Sequence, residues 1–423
     1  MVFRFLIETN IEIMKTYILS ILLFSVSIAF SQEWESVNSG TNEQLNSISF
    51  ATSSIGFIGG NDSLLLKTTD GGDTWLQHTT NGVNFTLGQK DIIQVDFLDD
   101  TTGFLTVGSA ITSGGLYKTI DGGMNWEQEQ TWMCFPIRTY NFDADNSIAI
   151  GSGCFTGKDI DKKVNGEWGA NATYLSWAND YLYAIDFYNT NYGMVAGDSG
   201  TVHRTFDGGV NWDTVATHTH HTIRDLKFVN DSTIYGVVDS LSNSFMISTD
   251  SGATWVGHNS SLTFFYPQFK ALELSNFGEV IAVGKTDLGD SGFVLWGNED
   301  AVFWNHEMVD YPLHDVGMAS DSIAFAVGDS GMIIRNTQMF LGIEENGFNL
   351  NITLYPNPVN DVLTIKSDVN TIKEIHIYDV QGRRVQSELM NFDSIDINSL
   401  KAGVYYLRVV MKNEQANLKF IKR

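Results

Sequence analysis

Five side chains suited to binding an anion recur along this chain at intervals of 41 to 46 residues. They are Arg138, Tyr183, Arg224, Lys270 and His314. Three are cations in a chain with 50 acidic and 25 basic residues, and Arg is suited to bidentate contact with carboxylates. We therefore expect a ligand-binding cluster for a carboxylate or an acidic partner, the alternative being ordinary solvated starts of strands.

A second chemical motif, GDSG, occurs at Gly197 to Gly200, Gly289 to Gly292 and Gly328 to Gly331. In isolation it is similar to the nucleophile region of trypsin-like proteases. No matching His and Asp arrangement accompanies it. Because it recurs at one place in a repeat, it predicts a turn between the second and third strands of each repeat.

Two further sets of residues are of types that take part in metal binding or hydrolysis. The segment THTHHT has His218, His220 and His221, but no Cys or carboxylate spacing completes a metal site, so we predict no metal and no cofactor. A glycosidase needs two carboxylates about 5 to 10 Å apart. Candidates in suitable loops, none of them singled out as a pair, are Asp91, Asp180, Asp225, Asp310 and Asp315.

The elements that position these residues follow from the phrase TTDGGDTW and its three variants, each of which ends in Trp. A short acidic side chain before Gly-Gly caps a turn by accepting backbone N–H bonds, and the Trp beneath it is expected to be buried. The Asp and Trp residues of the four copies are Asp70, Trp75, Asp121, Trp126, Asp207, Trp212, Asp250 and Trp255. Periods in the forties predict a propeller or an array.

A second landmark raises the number of repeats to seven. An apolar-polar-apolar triplet, followed by a glycine-bearing strand, ends at Phe50, Phe97, Phe142, Phe187, Phe228, Leu274 and Met318. The seventh repeat stops near Thr337 without its Trp strand, and EWESVNSG around Trp34 supplies the match. This predicts a seven-bladed ring whose last blade takes its outer strand from residues 33 to 38, leaving only short protected edges.

The phrase [ST]-x-D-G-G-x-[TN]-W resembles the Asp-box (BNR) repeat, and the seven-repeat form resembles the photosystem II assembly-factor type of propeller. The resemblance covers residues 33 to 337 and implies that the Asp boxes lie on one face. The loops entering the inner strands, and the GDSG turns, then lie on the other face, where any ligand is expected. Asp-box propellers include sialidases, but the Arg-Ile-Pro phrase of that family is absent.

Two more groups of residues follow the repeat. One repeat position, just before the Asp-box turn, is a cation in four repeats, and its periodicity predicts a solvated strand face: Lys67, Lys118, Arg204 and Arg335. Aromatic residues collect in the loops opposite the Asp boxes, where they suit sugar stacking, protein contact or burial between blades. They are Trp132, Phe135, Tyr174, Trp177, Tyr181, Phe264, Phe265, Tyr266 and Tyr311.

After Leu341 the rhythm changes to short alternating strands, which predict a small antiparallel sandwich. Its four motifs are YPNP, D-x-x-G-R-x-V, L-x-x-G-x-Y-x-L-x-V and a basic last strand. Together they resemble the type A C-terminal sorting domain of the type-nine secretion system of Bacteroidetes. The resemblance implies export through that machinery, with signal residues Pro356, Asn357, Pro358, Gly382, Arg383 and Gly403. A small binding sandwich that stays attached is the alternative.

The N-terminal region and the cysteines fit an exported protein. Residues Met14 to Gln32 have a basic start, an apolar stretch and a small-residue exit, which predicts a signal peptide. Cys134 and Cys154 flank a hairpin in which positions summing to about 288 face one another. A disulfide there closes a loop of about 20 residues and contributes roughly 3 kcal/mol. Two buried free thiols are the alternative.

These observations predict an all-β chain: a seven-bladed β-propeller followed by a small antiparallel β-sandwich domain. The expected boundaries are a signal peptide at 1–31 with a start at Met14, the propeller at 32–340, a linker at 341–349 and the sorting domain at 350–423. The net charge of −25 argues against nucleic acid as a partner, and no later run spans a bilayer. We expect a protein, secreted or on the outer cell surface, that binds a protein or glycan without catalysis of its own. A sialidase-like glycoside hydrolase is the alternative.

Overall fold

The computed structural model describes residues 34–85, 91–108, 114–132, 136–153, 157–169, 173–174, 181–240, 244–258, 267–275, 279–287, 289–298, 304–320, 322–337, 353–366, 372–379, 384–388, 394–401, 403–411 and 415–423. The predicted signal peptide lies outside these residues. In the part of the chain that the structure describes, no helix has the length and apolar content needed to cross a membrane.

Strand β1 is Glu35–Val37, and the first two blades follow it as four-stranded antiparallel sheets. Blade 1 consists of β2 (Leu45–Phe50), β3 (Gly56–Gly60), β4 (Leu65–Thr68) and β5 (Leu76–Gln77). Blade 2 consists of β6 (Asp91–Phe97), β7 (Gly103–Gly108), β8 (Gly114–Thr119) and β9 (Glu127–Trp132). The strands of each blade pair in sequence order, so successive hairpins build the sheet.

The next four blades repeat this order, and blade 3 adds a fifth strand. Blade 3 consists of β10 (Pro136–Asn141), β11 (Ser147–Gly153), β12 (Gly157–Val164), β13 (Glu167–Trp168) and β14 (Thr173–Tyr174), and β14 pairs with β12. Blade 4 consists of β15 (Leu182–Phe187), β16 (Gly193–Gly197), β17 (Val202–Thr205) and β18 (Asp213–Val215). Blade 5 consists of β19 (Ile223–Phe228), β20 (Ile234–Val238), β21 (Phe245–Ser248) and β22 (Val256–His258). Blade 6 consists of β23 (Gln268–Leu274), β24 (Glu279–Lys285), β25 (Gly292–Asn298) and β26 (Trp304–Val309).

Blade 7 closes the ring with a strand from the other end of the propeller. It consists of β27 (Leu313–Ser320), β28 (Ile323–Gly328), β29 (Ile333–Asn336) and β1. Strand β1 pairs antiparallel with β29, with Glu35 opposite Arg335. The inner strand of every blade contacts those of both neighbours, and β27 contacts β2. The predicted seven-bladed ring and its closure by residues 33 to 38 are confirmed.

The core lies between the blades because the second strand of each sheet is covered on both faces. All residues of β3, β16, β20 and β7 are buried, as expected for strands in a stacked arrangement. Aromatic rings bridge the gaps: Phe57 of blade 1 stacks on Phe97 of blade 2 at 3.7 Å between centroids. Each blade therefore buries its apolar faces only against its neighbours, so the ring must close to complete the core.

The Asp boxes form the turns between the third and fourth strands. The carboxylate of Asp70 accepts hydrogen bonds from the backbone N–H of Thr74 at 3.0 Å, from its hydroxyl at 2.6 Å and from the Thr68 hydroxyl at 2.7 Å. These bonds, the Thr74 hydroxyl first, lower the pKa of Asp70 to about 2. The same pattern of acceptors recurs at Asp121, Asp207 and Asp250.

The tryptophan that ends each Asp box fixes the turn onto the blade. Trp75 packs edge-on against Phe50, the last residue of the inner-strand triplet, with 5.9 Å between ring centroids. The corresponding pairs are Trp126 with Phe97 at 6.0 Å and Trp212 with Phe187 at 6.2 Å. The two landmarks of the repeat are thus contact partners, which explains why they recur together.

Blade 3 replaces the Asp box by a two-residue turn. Asn165 and Gly166, both with positive φ, join β12 to β13, the geometry of a tight hairpin. Strands β10 and β11 pair so that positions summing to 288 face one another, such as Asn141 and Ser147. The predicted register of this hairpin is confirmed, while Cys134 and Cys154 lie outside the described residues.

The repeated cations before the Asp boxes do not form a solvated face, so that prediction is wrong. The Lys67 ammonium donates to the Gly122 carbonyl in the Asp box of the next blade at 3.0 Å. In the same way Arg204 donates to Ser251 at 2.9 Å. Lys118 reaches a turn carbonyl of blade 3, and Arg335 pairs with Asp73 in blade 1 and with Glu35. These side chains join the outer parts of neighbouring blades.

The C-terminal part folds as two small antiparallel sheets packed on one apolar core. One sheet has the order β30 (Thr353–Tyr355), β31 (Val362–Lys366) and β34 (Ile395–Asp396). The other has the order β33 (Arg384–Glu388), β32 (Ile372–Asp379), β35 (Gly403–Met411) and β36 (Gln415–Lys422). Leu363, Ile377, Leu407 and Phe420 are fully or almost fully buried between them. This is the small sandwich expected from the alternating pattern.

The YPNP motif ties the start of this sandwich to its last strand. The Asn357 side chain accepts a hydrogen bond from the Ile421 backbone at 2.9 Å, and Val359 bridges Lys422. Both bonds preceding Pro356 and Pro358 are cis. Gly403 begins β35, and Gly382 and Arg383 lie outside the described residues.

Candidate functional site at the channel mouth

The inner strand of all seven blades begins with a β-bulge, and the extra residue of blade 3 is Ile137, whose side chain is not described. In blade 5, Ile223 lies opposite Val238 and Asp225 opposite Val237, so Arg224 is the extra residue. Bulges re-aim a side chain, and in the other six blades they hold one side chain each at the same end of the channel. We call these the mouth residues: Asn46, Ile93, Tyr183, Arg224, Lys270 and His314.

Arg138 is not a mouth residue, because the bulge of blade 3 lies one residue earlier than the recurrence of these residues in the sequence predicts. It is paired with Ile150, so its place matches Asp225 in blade 5 rather than Arg224. Its guanidinium lies 3.3 Å from the Asp225 carboxylate and 3.3 Å from the Lys270 carbonyl. Burial opposes its charge, but Asp225, and more weakly Asp315, outweigh this and raise the pKa of Arg138. The positive charge of Arg138 is therefore neutralised by an ion pair inside the channel.

The polar side chains deeper in the channel join one blade to the next. The Asp315 carboxylate accepts the Ile48 backbone N–H at 2.9 Å, and Asp225 accepts that of Leu272 at 3.0 Å. Ser47 and Gln94 accept the equivalent bonds from the following blades. The inner strand of each blade has a free edge that faces the channel, and these side chains accept hydrogen bonds from the N–H groups along that edge. They are structural groups of the ring.

A second layer in the channel holds ion pairs and a carboxyl of raised pKa. The Asp186 carboxylate accepts the Phe228 backbone N–H at 2.8 Å, and burial raises its pKa to about 6. Lys227 lies 3.2 Å from Glu273. The channel cavity, which Lys227 and Glu273 help to line, has a volume of about 400 Å³. The polar groups named above bond to one another or to backbone.

At the mouth, inner-strand residues contact the residue 15 positions later, which sits at the turn between the second and third strands. Arg224 lies 2.7 Å from Asp239, and His314 lies 2.7 Å from Asp329. Asn46 donates to Asn61 in the same way, at 2.9 Å. The guanidinium of Arg224 also lies 4.6 Å above the Tyr183 ring. Blades 1, 5 and 7 therefore each carry a partnered polar pair at the mouth, whereas blade 2 has Ile93 and Gly108 in these positions.

Blade 6 differs from blades 1, 5 and 7 because both positions are lysine. Lys270 is half-buried, and the residue 15 positions later is Lys285 instead of an acceptor. The side-chain hydrogen bonds and ion pairs of the described residues include none that joins Lys270 to a carboxylate. Burial lowers the pKa of Lys270, and the nearby charges of Arg224 and Lys285 lower it further, against the weaker opposing effect of Asp239 and Asp329. Among the described residues, blade 6 thus places a positive charge without an ion pair of its own between the pairs of blades 5 and 7.

Burial also favours the neutral form of His314. It lowers the pKa of this imidazole, and Lys270 and Lys285 act in the same direction against the opposing effect of Asp329. Four of the five predicted ligand-binding residues, Tyr183, Arg224, Lys270 and His314, therefore meet at the mouth. The fifth, Arg138, contacts this group only by donating a hydrogen bond to the Lys270 carbonyl.

Two of the predicted loop aromatics are exposed beside the mouth. Tyr181 and Tyr311 are 45% and 44% exposed. The Tyr181 carbonyl accepts the Asp198 backbone N–H of the GDSG turn in blade 4, at 2.9 Å. Trp132 and Tyr174 lie in described strands whose side chains are not described. The others lie outside the described residues: Phe135, Trp177, Phe264, Phe265 and Tyr266.

The GDSG motifs are turns, as predicted. Those of blades 4 and 7 form single 3-10 turns at Asp198–Gly200 and Asp329–Gly331, between the second and third strands. The third joins β24 to β25. Their Asp residues bond to neighbouring groups: Asp329 to His314, and Asp198 to the Thr222 hydroxyl at 2.8 Å. No nucleophile is assembled around them in the described residues.

The histidine loop lines a separate groove of about 340 Å³ with Trp255. His218, His220 and His221 are exposed in it. Among the described residues, no group of three or more His, Cys, Asp or Glu side chains is placed to hold a metal ion.

Of the acidic loop residues considered for hydrolysis, Asp225 and Asp315 hold backbone groups of the next blade. Asp91 accepts the Asp62 backbone N–H at 3.2 Å, and Asp310 is exposed. Asp180 lies outside the described residues.

The residues that lie opposite three of the mouth residues were not predicted from the sequence: Asp239, Asp329 and Lys285. The signal that would have found them is the constant 15-residue offset from the inner-strand position, which the hairpin geometry fixes.

Two protein families match parts of the chain. Residues 353–423 match the secretion system C-terminal sorting domain, and residues 26–87 match the photosynthesis system II assembly factor YCF48 family. The photosystem II assembly lipoprotein Ycf48 of Prochlorococcus marinus is 26% identical over 39% of this chain and 48% of its own length. That of a Synechococcus strain is 23% identical over 55% of each chain. The chain thus spans about half the length of these relatives.

Solved structures agree on the fold. A structure described as YCF48 bound to D1 peptide has a TM-score of 0.57 and 19% identity, and covers 72% of this chain and 97% of its own. YCF48 from Cyanidioschyzon merolae has a TM-score of 0.54 and 15% identity, over 72% and 98% of the two chains. At these identities the likeness concerns the fold alone.

Proposed function

We propose that this secreted protein binds an acidic segment of another protein. The proposal rests on the Asp-box propeller of the Ycf48 type and on the type-nine secretion sorting domain that the chain carries. The binding surface is the channel mouth, on the face opposite the Asp boxes. The sorting domain indicates secretion or an outer-surface location. The partner of the tail is the secretion machinery, and the signal peptide expected at 1–31 belongs to the same proposal.

One observation carries this proposal: among the described residues, the half-buried Lys270 at the mouth of a strongly acidic protein has no ion pair with a carboxylate. Unpaired charges in partly buried positions are costly unless a ligand or solvent compensates them. Tyr181 and Tyr311 are exposed aromatics that precede inner strands on the same face. Such residues contribute strongly to protein interfaces, since they combine apolar area with a polar end.

A protein ligand is favoured over a glycan by the charge of the mouth and by one relative. A solved propeller of similar fold is described as bound to a peptide. That supports a peptide segment as a ligand that this type of ring can accept, without identifying the partner of this chain. A glycan remains an outcome that the experiment below can reveal.

Glycoside hydrolysis is the weaker candidate. It requires a free pair of carboxylates about 5 to 10 Å apart, one of them protonated at working pH. Asp225 and Asp315 are occupied by backbone N–H groups, and Asp239 and Asp329 by Arg224 and His314. Turnover of an aryl glycoside by the full chain, lost on changing one of these four residues, would establish the hydrolase instead.

The test compares two faces of the full chain on arrays of acidic and basic peptides and of glycans. One variant carries Tyr181→Ser and Tyr311→Ser at the mouth. Its matched control carries Ile120→Ser and Met124→Ser, which replace exposed apolar residues in the Asp box of blade 2. We expect saturable binding of acidic peptides to the wild type and the control, and a loss of at least about tenfold in the mouth variant.

The opposite result has a clear meaning. Equal binding by the mouth variant, with a loss in the Ile120 and Met124 control, would place the ligand on the Asp-box face and overturn the proposal. Binding of glycans alone, lost in the mouth variant, would keep the surface but replace the ligand class.

A further inference from the structure

The two lysines of blade 6 occupy positions that other blades use for a self-contained pair. Arg224 has Asp239, His314 has Asp329 and Asn46 has Asn61, each 15 residues later. In blade 6 the corresponding residues are Lys270 and Lys285, and the acceptor is replaced by a second cation. The place where a carboxylate sits in the neighbouring blades is therefore the place where blade 6 lacks one.

The charges around this point fix the kind of anion that fits. Lys270, Lys285 and Arg224 are cations, whereas Asp239 and Asp329 are carboxylates, so the group carries one positive charge when His314 is neutral. A singly charged carboxylate neutralises it. A doubly charged phosphate would leave an excess negative charge in a partly buried site next to two carboxylates, which is unfavourable.

We propose that Lys270 and Lys285 together bind one carboxylate of the protein ligand at the mouth of the channel. This inference rests on the proposed function, since it names the group by which that ligand is recognised. The bound carboxylate takes the role that Asp239 and Asp329 play in blades 5 and 7. Lysine suits this task because its ammonium is a compact charge that can approach a carboxylate from several directions.

The carboxylate has two possible sources in a protein, the chain terminus and an acidic side chain. The probes are an acetylated glycine tripeptide with a free C-terminal carboxylate, the same peptide as its amide, and an amidated tripeptide that contains one aspartate. Inorganic phosphate is a fourth probe. Lysine acylation of the full chain, read by mass spectrometry, reports protection of Lys270 and Lys285, and the exposed Lys401 of the sorting domain is the internal control.

We expect at least one carboxylate peptide to protect both lysines, with the amide inactive, phosphate weaker and Lys401 unchanged. Which carboxylate peptide protects identifies the source. The decisive variant is Lys285→Asp, which rebuilds in blade 6 the pair seen in blades 5 and 7. It should fold as the wild type does and weaken carboxylate protection of Lys270 by about tenfold or more.

Two results would overturn this inference. One is equal protection by the amide and the carboxylate peptides, and the other is full protection of Lys270 in the Lys285→Asp variant. If that variant still captures the ligand that the Tyr181 and Tyr311 variant loses, the proposed function stands and only the carboxylate site falls. If neither variant changes ligand capture, the proposed function falls as well.

Discussion

The two faces of this propeller use the same residue types for different ends. On the Asp-box face, the carboxylates and cations recur at the same position in several blades and make hydrogen bonds there. Asp70 accepts the Thr74 N–H, and Arg204 donates to the Ser251 carbonyl. At the mouth the pairs recur in blades 1, 5 and 7, whereas blade 6 has Lys270 and Lys285 in those positions. The periodic charges bond within the ring, whereas the position that departs from them is where we propose that the ligand binds.

The largest expected effect comes from the channel layer that separates the two faces. Asp225→Ala removes the partner of Arg138 and the acceptor of the Leu272 N–H. Leaving the half-buried guanidinium without this partner and the buried Leu272 N–H without an acceptor should lower the free energy of unfolding by about 3 kcal/mol. Urea unfolding followed by tryptophan fluorescence measures this. The matched mouth variant, Asp329→Ala, should lose about 1 kcal/mol or less. Equal losses in both would erase the distinction between channel and mouth.

A pH dependence sharpens the same distinction. The carboxyl of Asp186 has a pKa of about 6 against an ordinary 3.8, so between these values the folded state holds a proton that the unfolded state releases. Wild-type stability should therefore fall as pH rises from about 4 to 6 and stay low above.

Asp186→Asn keeps an acceptor for the Phe228 N–H without the buried charge. At pH 7 it should unfold with a free energy about 2 kcal/mol higher than the wild type, and the gap should close near pH 4. Urea titrations at several pH values would show this. A constant gap across that range would mean that Asp186 does not titrate in the folded protein.

A smaller loss is expected for the contacts between outer strands. Arg204→Ala removes the bond to the Ser251 carbonyl, and this should cost about 1 kcal/mol without affecting ligand capture. Thermal unfolding and the peptide array measure the two quantities. Weaker capture with unchanged stability would assign Arg204 to the binding surface and contradict its structural role.

The smallest expected effect on stability is at the mouth itself. Lys285→Asp should change the free energy of unfolding by no more than about 0.5 kcal/mol, while it removes the carboxylate site. A strong destabilisation would show that the two lysines support the ring, and the contrast between periodic and non-periodic charges would then fail.

Most of the fold could be predicted from the sequence because a propeller is a repeat of local hairpins. The Asp boxes, the triplets ending in residues such as Phe50, and the match around Trp34 each concern neighbouring strands, so their spacing is visible in the chain. The sandwich motifs from Tyr355 onward are likewise local.

The candidate site was only partly predictable, since its contacts join different blades. The one-residue shift of blade 3 moved Arg138 from the mouth into the channel, and the triplet ending at Phe142 gave no sign of it. The sequence alone also placed Lys67 and its equivalents on a solvated face, because it does not show which turn lies beside them. Partners in different blades, such as Asp225 of blade 5 for Arg138 of blade 3, require the closed ring.

The most direct test of the account is amide hydrogen exchange of the full chain with and without a peptide captured from the array. Binding at the mouth should slow exchange at the start of the inner strands, near Tyr183, Arg224 and Lys270. The Asp-box amides of Thr74 and Asn125 should exchange at unchanged rates. Slower exchange at those Asp-box amides, with none at the mouth, would contradict the assignment of the two faces.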